Sequence, residues 1–519
     1  MADGYARATG KPGVVIVAGV GLTNAMTQMI NAYKDLIPLV VAVASVDQDA
    51  LGRDQLQEAE LHDNLANPIT KWSWTAKTTA GIPESLRRCL KFAATPPCGP
   101  VFLSLPNNTL REEGKAAIWD QAKFDVPMHI RPDKEDIEKA ARILIEAKNP
   151  LITAGDEVTW ARGEKEVVEL AELLGIPVSS PGGGGLGYSS KPFPTRHPLY
   201  IGTQLRDMRF PGKVDVLLNL GNRYGERAAP DTTLISIRND PASLARTTPV
   251  DVPIVADLRL ATADLVAAIR SMATAPRLKE IAEERAARTR AYSKEMAEFR
   301  MAIARENYDR APITLSRIAL ELESALAPDT CYVNDADSGK AMDPLMSFGL
   351  GAKDYFTTSP NILGWAVAAA FGVKLARPDK PVVAVTGDGG FCFAGPQPLW
   401  SQARYHAPVM NIVLNNRSYN NERNRIWFAG GRQYQSGRDL TCYNGSPDVD
   451  FVKAAAAFGV EGEFVEAPGD LKAAIGRAQR VIADGRPYLL EILTARDGIG
   501  IASTWHPAYS IAEQRSRRV

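Results

Sequence analysis

The sequence predicts an α/β protein of three doubly wound domains with parallel sheets, and three observations carry that expectation. The chain has 519 residues, and at about 150 residues per domain this length suggests roughly three domains. Short runs rich in valine and isoleucine alternate with helical patterns throughout, among them Gly13–Val17, Leu39–Ala44, Val101–Leu105, Val214–Leu218, Val382–Thr386, Val409–Leu414 and Tyr488–Ile492. Strands so continuously apolar are expected to be buried on both faces, as in parallel sheets covered by helices. Two breaks divide the pattern: a polar, extended stretch over 106–132 and a charged helical stretch, Arg277–Arg310, that ends at Ala311-Pro312. The expected blocks are 1–118, 119–305 and 306–519.

Composition narrows the function classes. Hydrophobic residues are 45% and charged residues 23%, a globular rather than a disordered balance. Sixty Lys+Arg offset sixty Asp+Glu, so the charge excess with which nucleic-acid binders and polybasic membrane-surface proteins capture phosphates is missing. The longest apolar runs, such as Val14–Ala18 and Leu39–Ala44, fall far short of the ~20 residues of a membrane helix. No basic-then-apolar signal pattern opens the sequence. Cys89, Cys98, Cys331, Cys392 and Cys442 are scattered without a CxxC pair and read as reduced thiols of a cytoplasmic protein.

In the first block, Met1–Gly10 reads as the tail of a helix closing at Gly10, with Lys11 in the last turn and Pro12 beyond. A domain opening on the end of a helix is expected to have had a strand before it, so this block reads as N-terminally incomplete. In the second block, Gly182–Gly187 formally contains GxGxxG after the strand Ile176–Ser180. Ser189-Ser190-Lys191-Pro192-Phe193-Pro194 breaks any helix that would follow, which makes nicotinamide binding the poorer reading.

The third block holds the strongest signal. Strand Val382–Thr386 runs into Gly387-Asp388-Gly389-Gly390, and strand Val409–Leu414 runs into Asn415-Asn416, with 25 residues between Gly389 and Asn415. Ligands of open α/β sheets bind at the carboxyl edge, where both segments fall. Glycines let backbone approach an anion and line it with N–H groups. Asp388 and Asn416 supply two hard oxygen ligands that, with a loop carbonyl and diphosphate oxygens, suit octahedral Mg²⁺. Tight turns explain most isolated GDG triplets; GDG plus NN at this spacing is far more specific.

This pair resembles the thiamine diphosphate-binding motif of the family that includes acetolactate synthase, benzoylformate decarboxylase and pyruvate decarboxylase, and the resemblance covers essentially the whole chain. Gly4–Gly13 looks like that family's pyrimidine-domain segment, Gly19-Val20-Gly21-Leu22-Thr23-Asn24 stands where acetolactate synthases carry GPGATN, and Gly52–Glu58 is similar to their GxDxFQE stretch, with Leu56 in place of phenylalanine. In the middle block, Leu174–Val178 and Arg196–Tyr200 match the central domain. The resemblance implies pyrimidine-binding, central and diphosphate-binding domains in that order. It also implies thiamine diphosphate and Mg²⁺ as cofactors, a small-molecule substrate, and a homodimer or homotetramer. Cofactor contacts would fall to Gly387, Asp388, Gly389, Gly390, Phe391, Asn416, Ser418 and Asn24, with Asp388, Asn416 and the Ser418 carbonyl on the metal. Leu363, in Asn361–Trp365, matches the apolar residue under the bend of the cofactor, or is ordinary core.

The family's glutamate that hydrogen-bonds the pyrimidine would lie upstream of Met1, and neither Glu58 nor Glu60 can be assigned its role. Glu422, six residues after Asn416, matches a pyruvate decarboxylase catalytic glutamate and is a candidate proton donor or acceptor, or a solvated residue at a helix start. Gln57 is the candidate catalytic contact on the substrate side, or an exposed loop glutamine. The five histidines (His62, His129, His197, His406, His506) are scattered and not expected to be essential bases. No FAD or ADP site is identifiable in the central block, so an empty domain is expected. Three activities follow: decarboxylation or carboligation of a 2-oxo acid; a lyase on a 2-hydroxyacyl-CoA or hydroxyketone, kept open by Arg417, Arg423 and Arg425; and a non-catalytic, cofactor-holding homologue.

Overall fold

The computed structural model describes residues 1–56, 58, 62–181, 188–203, 210, 212–223, 229–439 and 441–505. They form two compact units: Met1–Ala297 with Phe348–Ile362, and Glu298–Ser347 with Leu363–Val519. None of the described helices is long and apolar enough to cross a membrane.

The first unit contains two parallel sheets. The first sheet is built from β1 (Gly13–Ala18), β2 (Leu39–Ser45), β3 (Trp72–Thr75) and β4 (Pro100–Pro106) in the order β1-β2-β4-β3. Its inner strands β2 and β4 are covered on both faces. Val40, Ala42, Val101 and Leu103 pack with Cys89 and Ala93 of the helix Ile82–Ala94, while Val41, Val43 and Phe102 pack with Leu22 and Met29 of the helix Gly21–Asp35. The edge strand departs from the expected double burial. Val14 is 52% and Ile16 76% exposed, while Val15 and Val17, alternating to the other face, pack into the cluster of Leu22 and Met29. The opening helix Ala2–Thr9 ends as expected at Gly10, whose φ of 72° is the left-handed cap conformation, with its N–H on the Ala6 carbonyl.

The second sheet joins β5 (Pro150–Ala154), β6 (Val178–Ser180), β7 (Tyr200–Thr203), β8 (Val216–Leu220), β9 (Thr233–Arg238) and β10 (Val252–Val255) in the order β10-β9-β8-β5-β6-β7. Strand β8 starts two residues later than the apolar run at Val214. The Asp215 carboxylate accepts the N–H groups of Lys148 and Asn149, at 2.6 and 2.9 Å, and holds the preceding residues as a loop. The helices Lys134–Glu146 and Leu258–Met272 bury Ile137, Leu144, Leu265 and Ile269 against this sheet. Within the same unit, Arg7 reaches Asp3 and Asp35, and Arg223 reaches Asp35 and Asp156, all buried. β12 (Asp354–Thr357) also belongs to the first unit, where the Thr357 carbonyl accepts from Arg7 at 2.9 Å.

In the second unit, β11 (Cys331–Asn334), β13 (Val382–Gly387), β14 (Val409–Asn415), β15 (Glu461–Val465) and β16 (Tyr488–Leu493) run in the order β11-β13-β14-β16-β15. Every residue of β14 and β16 is buried, as their continuous apolar runs predict. The charged stretch predicted over Arg277–Arg310 is the helix Ala275–Glu306.

Candidate active site

Strands β13 and β14 pair in parallel from Val382↔Val409 to Gly387↔Leu414, so the glycine-rich turn and the double asparagine leave the sheet side by side at one edge. The helix Asp388–Ala394 starts directly after β13. Asp388 Oδ1 accepts the Gly389 N–H at 2.8 Å, and Oδ2 accepts the Ser418 N–H at 2.9 Å, which ties the two strand ends together. Asp388 is 3% exposed. Burial pushes its carboxyl up to about 6, partly offset by those two N–H groups, by the Asn444 side chain and by the charge of Arg496. No ion pair reaches it among the described residues.

The two asparagines divide their work. Asn415 Oδ1 accepts the Arg417 N–H at 3.0 Å, an Asx turn that carries Arg417 through a φ of 55°. Its Nδ2 donates to Glu491 at 2.7 Å. Asn416 Oδ1 is buried with no hydrogen-bond partner. The Asn416 carbonyl is occupied by Arg496 Nε at 2.8 Å. The Ser418 carbonyl accepts from the Asn420 N–H at 2.8 Å, which leaves it a second lone pair. Tyr419 lies over the glycine turn so closely that a Cβ on Gly389 would sit 2.3 Å from its ring, whereas one on Gly387 would meet nothing within 4 Å. The turn is therefore packed on one side and open on the other.

These residues fit a hard divalent cation. Asp388 is a buried carboxylate whose two backbone donors leave each oxygen a further lone pair, Asn416 Oδ1 is a buried amide oxygen without a donor, and oxygen ligands are what Mg²⁺ takes. The open side of Gly387 leaves room for the anionic group that such a cation would bridge. The described residues hold no cluster of three or more His, Cys, Asp or Glu suited to a metal; this set is instead one carboxylate, one amide and one carbonyl.

The other predicted residues lie as follows. Leu363 is half-buried on the turn before the helix Ala366–Ala376. That turn is held by Asp335, just beyond β11, whose Oδ2 accepts the N–H groups of Trp365 and Ala366 at 2.7 and 2.9 Å. Phe391 is buried edge-to-face against Phe451, 5.3 Å between centroids. Glu422 is exposed on the first turn of the helix Asn420–Phe428 and pairs with Arg425 at 3.2 Å. Asn24 is exposed at the start of the helix Gly21–Asp35. Glu58 accepts the N–H groups of Gln55 and Gly52 at 2.8 and 2.5 Å, which lower its pKa. His197 binds Glu172 and the Leu199 N–H, both at 3.2 Å. Gln57, Glu60, the Gly182–Gly187 run, His506 and the His62 side chain lie outside the described residues.

Sequence reasoning missed Asp335, Glu491 and Arg496. A lone glutamate inside the apolar run Tyr488–Leu493 is the signal that marks Glu491.

Three family descriptions match the chain in order: the thiamine pyrophosphate enzyme N-terminal TPP binding domain over residues 1–66, the central domain over 137–265, and the C-terminal TPP binding domain over 350–492. The chain belongs to the thiamine pyrophosphate enzymes. A probable acetolactate synthase large subunit of Methanocaldococcus jannaschii is 29% identical, with 95% of this chain and 83% of the relative covered. A benzoylformate decarboxylase of Pseudomonas aeruginosa is 28% identical over 95% of this chain and 89% of that protein. The solved structure of a Rhodococcus jostii thiamine diphosphate-dependent 4-hydroxybenzoylformate decarboxylase shares the fold, with a TM-score of 0.76 at 24% identity over 96% of this chain and 90% of that one. This thiamine pyrophosphate enzyme is thus similar to both acetolactate synthases and benzoylformate decarboxylases.

Proposed function

We propose that this thiamine pyrophosphate enzyme breaks or forms a C–C bond at the carbonyl of a 2-oxo acid, as a decarboxylase or an acetolactate synthase-like carboligase, and that it uses Mg²⁺. The observation that carries the metal is the buried, donor-free Asn416 Oδ1 beside the buried Asp388 carboxylate at the ends of β13 and β14. The substrate class is supported by the names of the relatives on both sides. When bound, thiamine diphosphate supplies a nucleophilic carbon and an electron sink for the bond that breaks.

The chain's own residues do the rest. Asp388, Asn416 and the Ser418 carbonyl would hold the cation, which would offset the diphosphate charge. Gly387–Gly390 present backbone to that anion, and Leu363 supplies apolar bulk from a turn fixed by Asp335. Glu422 and Gln57 are the proposed polar groups facing the substrate, Glu422 moving a proton at its carboxylate. The working form is proposed to be a homodimer or homotetramer, checked by light scattering on active enzyme.

The acyl-CoA reading loses its support in the geometry. Arg417 pairs with Asp448 at 2.7 Å, Arg425 with Glu422, and buried Arg423 donates to Asn420 at 2.6 Å and to the Asp497 carbonyl at 2.5 Å. Arg423 is buried within the protein, and Arg417 and Arg425, though partly exposed, each carry an acidic partner that a phosphate would have to displace. CO₂ release from pyruvate and benzoylformate by the holoenzyme, run beside cleavage of a 2-hydroxyacyl-CoA, tests the choice. Turnover of the thioester with no CO₂ from either acid would overturn it.

A further inference from the structure

The strand β16 carries one charge, Glu491, in an otherwise apolar run buried on both faces, and it is itself 4% exposed. A buried carboxylate is costly unless its partners repay the desolvation. Its register places it opposite Val413, with Asn415 opposite Leu493, so Glu491 and Asn415 are diagonal neighbours across the parallel pair β14–β16. Asn415 Nδ2 donates to Glu491 Oε1 at 2.7 Å; burial pushes the glutamate's carboxyl up, and this bond and the Phe451 N–H offset that only in part.

The consequence lies two residues on. Asn415 has one amide, and Glu491 fixes which end faces where. With Nδ2 committed to Glu491, Oδ1 points to the Arg417 N–H and closes the Asx turn at 3.0 Å. The turn sets the backbone of Asn416 between two anchored neighbours, leaving the Asn416 Oδ1 buried and open, and it delivers the Ser418 N–H to Asp388 at 2.9 Å. Rotating the Asn415 amide would put a donor against the Arg417 N–H and break the turn.

We propose that Glu491 is a positioning residue for the cation site: through Asn415 it fixes the turn that presents Asn416 and Ser418. The proposal rests on the reading of Asp388, Asn416 and Ser418 as the metal-binding set. Groups that orient metal ligands from behind typically change metal affinity by about 10- to 100-fold when removed.

The test is Mn²⁺ binding to the metal-stripped full chain in the presence of thiamine diphosphate, followed by the electron paramagnetic resonance signal of free Mn²⁺, with no turnover involved. Glu491→Leu should raise the Mn²⁺ Kd by about tenfold or more. Glu491→Gln keeps an oxygen for Asn415 to donate to and should stay within about threefold of the unmodified chain. Asn415→Ala should weaken binding as Glu491→Leu does, and the double variant should lose nothing further, because both act through one turn. Should Glu491→Leu not fold, Asn415→Ala and Glu491→Gln carry the comparison. A lowered melting temperature with unchanged Mn²⁺ affinity in Glu491→Leu or Asn415→Ala would reduce the pair to a structural role and overturn the proposal. So would losses that add in the double variant. An unmodified chain without a saturable Mn²⁺ site would overturn the reading of the metal set, and the inference with it.

Discussion

Two buried polar clusters, one in each unit, carry charge in opposite ways. In the first unit, Arg7 lies 2.6 Å from Asp3 and 2.8 Å from Asp35, and Arg223 lies 3.0 Å from Asp35 and 2.8 Å from Asp156. Burial pushes the Asp35 carboxyl up, but Arg7, Arg223 and the Ser359 hydroxyl more than offset it and hold it below its usual range. In the second unit Asp388 is similarly enclosed, but its backbone donors and the charge of Arg496 offset burial only in part, and it is left raised at about 6. The same residue type therefore serves as a structural tie in one place and as an open acceptor in the other. Direct ion pairing, rather than burial, separates the two.

The largest effect should come from breaking the closed cluster. Asp35→Ala leaves Arg7 and Arg223 without their shared partner, and losing one member of a buried ion cluster costs about 3–5 kcal/mol. Denaturant unfolding measures it; a loss below about 1 kcal/mol would place this cluster with weak surface pairs. The sign with pH is fixed. A depressed folded pKa means the Asp35 contribution is present above the unfolded value of about 4 and is lost as pH falls through the folded value. The gap between Asp35→Ala and the unmodified chain should therefore narrow in acid.

Changing the open cluster should have the opposite sign. In metal-free protein at neutral pH, Asp388→Asn removes a buried, incompletely compensated charge and should raise stability by about 1–3 kcal/mol. Because the folded pKa is raised to about 6, the penalty is full above that pH and gone below the unfolded pKa of about 4. The gain should fade as pH is lowered across that window. Thermal unfolding in a chelator reads it, and destabilisation at pH 7 would mean the carboxylate is already compensated. The smallest effect should be Ser359→Ala, which removes one hydrogen bond from Asp35 and should cost about 1–2 kcal/mol in the same unfolding measurement.

What was legible in the sequence follows the same line. Strands β13 and β14 are buried on both faces, so their apolar runs marked them to within a residue at the carboxyl end, and the glycines and Asn416 that follow are local signals. Partners brought together by strand order were not legible. Asn415 and Glu491 are 76 positions apart, and Asp35 and Arg223 are 188 apart. The exposed face of β1 was hidden for a related reason: Val14 and Ile16 are as apolar as any core residue, and sequence pattern records what a strand is made of, not what covers it. Glu422 and Arg425 sit one helical turn apart, and only the coordinates show that each is engaged with the other.

Asp388 and Asn416 are proposed to form an acceptor pair for a divalent cation. Calorimetric titration of thiamine diphosphate into metal-stripped protein, with and without Mg²⁺, for the unmodified chain and for Asp388→Ala, tests it most directly. The unmodified chain should bind saturably and only with Mg²⁺, and Asp388→Ala should show no detectable binding in either condition. Equal affinity in the two proteins, or binding by the unmodified chain that is indifferent to Mg²⁺, would contradict it.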